Sequence, residues 1–428
     1  MIEIWHGLQR LGHRLRRFPR SHYFWIAIHV VLLLLFLFLS WKYYEGPSPG
    51  ALEYHKALDI LGGQIPYHDF TFEYPPLVIL LWVIPALFFR SMPFYFIAFA
   101  IEIFFFDFLA MKLIIHLSRR LNLSMVRSLF FYTLFIGVVA GPIVIQRCDL
   151  VPAVLMLAAL VALIKGRNSL AWSMLALGVV AKLFPIIIAP LFVIWYLIKK
   201  QYKQLIKGVA VFVAVILVTV IPWIIIDAQG FWYSINYHLQ RGLHAESSYG
   251  SFLLLAQLLG FIRVGGGFSF GSYNLISPTA DYITGVSFYI ALEILLILYL
   301  LFALKLSGLQ RGQKNNISTV MPNVEMESLL LRYALLVIIG LMISSKIFSP
   351  QYMVWFCPLL PLINIRGSNL IFILCLIAGG ATLYIYPFNY TPFARFETFP
   401  VIMMALRNLL LIVIGFLVLF PRRYKVRT

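Results

Sequence analysis

The chain has 428 residues, 62% of them hydrophobic and only 12% charged, with a mean hydropathy of +0.91 and a formal net charge of +18. Such a composition excludes a soluble globular or disordered class and reads as a polytopic, all-α membrane protein. In that setting the Lys and Arg excess marks cytoplasmic loops and sets orientation; it implies no nucleic-acid partner.

Residues 1–22 are a basic segment carrying Arg10, Arg14, Arg16, Arg17 and Arg20. The apolar run Tyr23 to Ser40 is long for a signal peptide and lacks a small-residue cleavage site, so it reads as an uncleaved first span running outward. Residues 41–93 then form a first external loop. Within it PYHDFTFEYPPL (66–77) leads into Pro76 to Phe89, 14 residues opened by a proline pair and interrupted by Pro85. About 20 apolar residues are needed to cross, so this segment is expected on the outer interface or as a re-entrant piece. If it crossed, the next span (Phe94 to Leu117) would leave Ser118, Arg119, Arg120 and Arg127 outside, against the positive-inside rule.

Further spans are expected near 128–146, 150–164, 169–183, 185–198, 208–226, 286–306, 328–345, 351–364, 369–386 and 401–420. Together they make about twelve crossings with both termini in the cytoplasm. Lys165 with Arg167, KKQYKQLIK, Lys305 with Arg311 and Lys314, Arg366 and the basic tail 421–428 then all fall inside. Residues 227–285 form a second large external loop. There Ser251 to Ile262 is too short to cross, and RVGGGFSFGSYNLISPTADY is a glycine-rich, aromatic loop. Residues 23–420 thus read as one transmembrane domain. Cys148, Cys357 and Cys375 lie in or beside apolar runs at irregular spacing and suggest neither disulfides nor a metal site.

Of the sixteen carboxylates only Glu3, Glu325 and Glu327 fall in cytoplasmic segments. Glu45, Glu53, Asp59, Asp69, Glu73, Asp149, Asp227, Glu246, Asp281 and Glu397 face outward or sit at outer helix ends, whereas Glu102, Asp107 and Glu293 lie within spans. Five groups could carry chemistry on that outer face. Glu53, Asp69 and Glu73 in the first loop are candidates for a general base that takes a proton from an attacking hydroxyl; taken singly, each is as well explained as a solvated loop acid. Arg147 and Asp149 in IQRCD sit at membrane depth, where charges pair or line a cavity, and a local pair capping the hairpin is the plain alternative. Lys182 in GVVAKLFPIIIAP is a basic residue on the outer side, either snorkelling to lipid or serving as a point charge for a bound phosphate. His238, Arg241, His244 and Glu246 in YHLQRGLHAESSYGS could bind phosphate through guanidinium and imidazole. On a helix, His238, Arg241 and Glu246 would share a face with His244 further round, although an amphipathic surface helix accounts for the same pattern. Zinc is a poor fit because the spacing lacks the i, i+4 histidine pair of the zincin motif. Gln351 and Tyr352, with Lys346 and Trp355, lie at an outer turn in SSKIFSPQYMVWFCP, where interfacial aromatics are expected anyway.

Taken in order, PYHDFTFEYPPL, QRCDLVPAVLMLAAL, LALGVVAKLFPIIIAPLF, YHLQRGLHAESSYGS and IFSPQYMVWFCPLLPL resemble the successive motifs of glycosyltransferase family 87, membrane enzymes of the GT-C superfamily. The likeness runs from about Gly62 to Pro361. It implies a GT-C fold with interfacial helices in the first external loop. It also implies inverting transfer of a sugar, commonly mannose, from a polyprenyl-phosphate donor to a lipid or glycan acceptor outside the cytoplasm. The protein would then sit in the plasma (inner) membrane of the cell envelope. One departure stands out: family members typically carry a catalytic aspartate a few residues before a tyrosine early in the first loop, and here counting back from Tyr54 lands on Pro49, Gly50 and Ala51, with no acid. Glu53 and Glu45 are the nearest acids.

The expected activity is that of a glycosyltransferase in which Glu53 or Asp69 is the base and Lys182, Arg241 and His238, with Arg147 behind them, hold the donor phosphate. Asp149, His244, Glu246, Gln351 and Tyr352 would complete the pocket. No organic cofactor is called for; a metal is not demanded, although Asp and Glu could hold one. No GxGxxG loop or P-loop suggests a nucleotide-sugar site. The alternatives are a lipid or sugar transporter or flippase, for which Glu102, Asp107 and Glu293 would be midplane charges, and an inactive GT-C scaffold.

Overall fold

In the computed structural model, residues 21–43, 50–137, 141–315 and 321–421 are described. Helix α1 (His22–Tyr43) is the first span. Two short helices follow in the first loop, α2 (Ala51–Leu61) and α3 (Leu77–Phe88). At 1.5 Å per residue α3 is about 18 Å long, well short of a ~30 Å hydrocarbon core. It buries Val78, Ile79, Leu81, Trp82, Pro85 and Ala86 while Leu80, Ile84, Leu87 and Phe88 stay exposed. One face on protein and one apolar face outward suit the interface.

Helix α4 (Met92–Arg120) then runs 29 residues and ends on Arg119 and Arg120. Within the expected span 128–146, α5 (Met125–Phe135) and a four-residue α6 (Gly141–Val144) are helical, and an irregular turn carrying Arg147, Cys148 and Asp149 follows. Helices α7 (Leu150–Ile164) and α8 (Asn168–Ala181) form a hairpin. Lys182 is extended at the end of α8, and a 3-10 segment (Phe184–Ile188) follows before α9 (Ala189–Ile198). Helix α10 (Tyr202–Ile226) leads to α11 (Ala228–Leu239), capped where the Asp227 carboxylate accepts from Gly230 N at 2.8 Å.

The second loop departs from an all-helical reading. Strands β1 (Leu243–His244), β2 (Gly265–Ser269) and β3 (Ser272–Ile276) make a small antiparallel sheet in the order β1-β3-β2, with α12 (Ser248–Leu258) between β1 and β2. Phe270 and Gly271 close the hairpin, both at positive φ (49° and 66°), as a two-residue turn between right-twisted strands requires. The glycine-rich stretch is therefore an ordered hairpin. The run 251–262 is the helix expected to be too short to cross.

Helices α13 (Pro278–Asn315), α14 (Met321–Ser344), α15 (Ser368–Leu383), α16 (Tyr390–Ala394) and α17 (Thr398–Leu419) complete the bundle. The expected span 351–364 is not a continuous helix. Pro350, Pro358 and Pro361 lack the N–H that α-helical bonding needs, and the chain makes 3-10 turns at Pro350–Val354 and Leu360–Leu362. Among the described residues, α10, α13, α14, α15 and α17 are long and apolar enough to span a membrane on their own.

Burial sorts the bundle. Helix α7 is buried almost all round and α14 over most of its apolar window, so they form the centre, whereas the apolar window of α10 is fully exposed and α13 is mostly so, as lipid-facing helices are. Among the intramembrane acids, Asp107 accepts from Tyr132 Oη at 2.6 Å and meets His29 Nε2 at 2.5 Å, and His29 Nδ1 lies 3.2 Å from Thr133 Oγ1. This network ties α1, α4 and α5 together, a helix contact in place of a midplane transport site. Glu293 is exposed on α13.

Candidate functional site

The two long loops meet at one end of the bundle. His68 Nδ1 lies 3.2 Å from Asp227 Oδ2, and His238 Nε2 donates to Glu73 O at 2.8 Å. Gly230 permits the docking: a Cβ there would lie 1.7 Å from Tyr67 O. The turn 346–349 joins them, as Lys346 Nζ donates to Leu239 O and His244 N to Lys346 O.

At the centre of this end, Glu53 from α2 is 4% exposed and receives a short hydrogen bond from Arg147 Nη1. Burial pushes the Glu53 carboxyl up, and the Arg147 guanidinium opposes this. Glu53 Oε2 has no partner among the described residues. Arg147 also lies in the field of Tyr386. Asp149 is held separately, accepting at Oδ1 from Lys182 Nζ (2.6 Å) and Trp355 Nε1 (2.7 Å). The local Arg147–Asp149 pair is thus corrected: the guanidinium turns to Glu53 and the carboxylate to Lys182, each across a long stretch of chain. Lys182 does not snorkel outward. Its ammonium points inward, within 6 Å of the stacked Tyr352 and Trp355 rings, and Trp355 stacks on Phe184. Gln351 lies half-buried in the same 3-10 turn.

Arg241, His244 and Glu246 are not helical, because α11 ends at Leu239; the helical-face expectation fails there. Arg241 lies beyond the helix and directs Nε and Nη2 at the Phe270 carbonyl (3.0 and 2.8 Å). Its charge is still felt by His238, Tyr352 and Glu246. His238 is pushed down, chiefly by burial, with Arg241 and Lys182 adding to it, so it is neutral near pH 7. His244 and Glu246 are each 2% exposed. Burial and the neighbouring Arg241 and Arg407 lower His244 to about 3, and burial raises Glu246 to about 7 against the pull of Arg407.

The remaining candidates lie further out. Asp69 is exposed and caps a turn by accepting from Ile65 N at 2.7 Å, with His68 beside it at 3.9 Å. Glu73 pairs with Lys56 at 2.5 Å. Glu45 lies outside the described residues. Among the described residues no group of three or more His, Cys, Asp and Glu could hold a metal ion.

Sequence reasoning missed Arg407 and Asn408, fully buried on α17. Asn408 Nδ2 donates to Glu246 O, Ser247 O and Ser251 Oγ, and Arg407 donates to Glu246 O and to Asn408 Oδ1 at 2.9 Å. The available signal was an Arg-Asn pair inside an apolar last span. Tyr386 and Tyr390 were missed too, with no signal beyond aromatic content.

The site therefore places a buried carboxylate, one oxygen of which has no partner among the described residues, in a group with Arg147, Lys182 and Asp149 and beside aromatic rings, at the end of the bundle where the two loops meet. The family model for glycosyltransferase family 87 matches residues 70–321, more than half of the chain. No curated protein matches. Among solved structures, ArnT from Cupriavidus metallidurans in the apo state is similar at a TM-score of 0.48 and 14% identity, over 92% of this chain and 76% of that one.

Proposed function

Since the chain belongs to glycosyltransferase family 87, we propose that it transfers a hexose, mannose by family resemblance, from a polyprenyl-phosphate donor to a hydroxyl of a lipid or glycan acceptor, with inversion, on the extracytoplasmic side. The observation that carries this reading is the juxtaposition of Glu53 with Arg147, Lys182 and His238, from four separate stretches of chain, at the end where both long loops meet.

Glu53 is the base. Its Oε2 takes the acceptor proton as the acceptor oxygen attacks the anomeric carbon. The bond from that carbon to the phosphate oxygen breaks, and its electron pair leaves on polyprenyl phosphate, which gains one negative charge. Lys182 and Arg147 stabilise that charge, with Arg241 adding field; neutral His238, its one N–H given to Glu73 O, ties α11 to the first loop beside them. A raised carboxyl pKa favours a base working near neutrality. Asp69, exposed and engaged in a turn, is set aside for this role.

The test is to incubate purified protein with a panel of radiolabelled polyprenyl-phosphate sugars and membrane lipids. Transfer from a lipid-borne donor, abolished in Glu53→Gln, is expected. Lys182→Met should raise the donor KM and lower kcat, while Asp149→Asn combined with it restores stability but not turnover. Transfer from a nucleotide sugar with no lipid carrier would overturn the mechanism.

A further inference from the structure

Three neighbouring side chains each leave one polar atom with no partner among the described residues: Glu246 Oε2, His244 Nδ1 and Arg407 Nη1. All three are at most 2% exposed. Glu246 Oε1 faces His244 Nε2 at 3.6 Å, and Arg407 uses Nε and Nη2 on Asn408 and Glu246 O, its guanidinium 3.9 Å above the Phe348 ring. A buried polar atom left unpaired costs about 1–3 kcal/mol, more when charged, so three together mark a place built for a ligand.

The kind of ligand follows from the atoms. The carboxylate oxygen accepts, the guanidinium N–H donates, and His244 Nδ1 donates or accepts according to its tautomer. A phosphate offers only acceptors and meets repulsion at Glu246. A cation offers nothing to Arg407. Neighbouring hydroxyls on a sugar ring both donate and accept, and they are neutral, as is the sum of one carboxylate and one guanidinium. These residues also lie near the reacting groups: Tyr386 lies in the field of Arg147, Glu246 and Glu53, and Tyr352 in that of Lys182 and Glu246.

We infer that Glu246, His244 and Arg407 form a subsite that recognises vicinal hydroxyls of a hexose ring, distinct from the cationic groups that meet the phosphate. The inference rests on the glycosyltransferase reading. The hexose belongs either to the donor or to a glycan acceptor, and the experiment separates the two.

Binding of polyprenyl-phosphate hexose, its ring-deoxy analogues and sugar-free polyprenyl phosphate is measured on wild type, Glu246→Gln and His244→Asn, and the KM of the acceptor glycan is taken alongside. If the donor sugar occupies the subsite, both variants weaken binding of the hexose lipid, roughly ten- to hundredfold for Glu246→Gln, and leave sugar-free lipid unchanged. One deoxy analogue then binds wild type and variant alike. The same loss in acceptor KM alone supports the subsite and assigns it to the acceptor. Equal weakening of sugar-bearing and sugar-free lipid, or no change in either arm, overturns it, as when the three atoms hold only water. If Glu246→Gln does not fold, His244→Asn and the wild-type deoxy series decide by the same criteria. Absence of transfer by wild type from every donor would sink the glycosyltransferase reading instead, and the binding arms would still report on the subsite.

Discussion

Replacing Arg147 by Met tests the central ion pair. Arg147 is the cation bonded to Glu53, whose side chain is 5% exposed; the Arg147 side chain is 26% exposed. Removing one member of a buried pair costs about 3–5 kcal/mol because the other is left charged and uncompensated. Partial water access at Arg147 places this case near 3 kcal/mol, unless Glu53 takes up a proton instead. At 1.36 kcal/mol per pKa unit, that is about two units of further rise in the Glu53 carboxyl. An acid with a raised pKa is ionised only at higher pH, so the acid limb of kcat/KM should move about two units alkaline and activity at pH 7 should fall steeply. Stability is read by thermal unfolding in detergent with a thiol-reactive dye, since Cys148, Cys357 and Cys375 are all buried and free. Adding Glu53→Gln should restore much of the lost stability and abolish turnover. An Arg147→Met protein that unfolds with wild type and keeps its acid limb would refute the pairing and the role of Glu53 as base.

Three further outcomes are expected. Gly230→Ala must push α11 off the Tyr67 carbonyl, which should cost at least about 1–3 kcal/mol and lower the unfolding temperature and turnover together; an unchanged protein would show that the loops do not dock this way. Burial raises Glu246 from 4.5 to about 7, so the native state holds more protons than the unfolded state in that window. Its stabilising contribution is therefore present at low pH and lost as pH rises towards 7. His244, lowered to about 3, acts in the opposite sense but is common to both proteins, so the stability of wild type relative to Glu246→Gln should fall from pH 4.5 to 7, and a pH-independent difference would contradict the burial of Glu246. Single cysteines at Asp69 and Arg241 in a cysteine-free background should label from one membrane face, and cysteines at Lys165 and Arg366 from the other. Labelling of Asp69 and Arg241 from opposite faces would dismantle the shared chamber.

The sequence by itself determined the membrane class, the position of most helices and the shortness of α3, because length, hydropathy and proline placement act locally. It also marked nearly every charge that gathers at the loop end, since a charge at membrane depth stands out against apolar neighbours. Partnership was another matter: Arg147 and Asp149 are two residues apart, yet one turns to Glu53 and the other to Lys182. Proline-broken segments such as 351–364 matched a span in hydropathy but not in hydrogen bonding, and the glycine-rich loop became a hairpin only when β1 supplied a third strand. Arg407 was hidden in an apolar helix until packing brought it to Glu246. Those choices fell to tertiary structure because a buried charge is settled by whichever partner reaches it in three dimensions, and nothing in the spacing of residues along the chain encodes that reach.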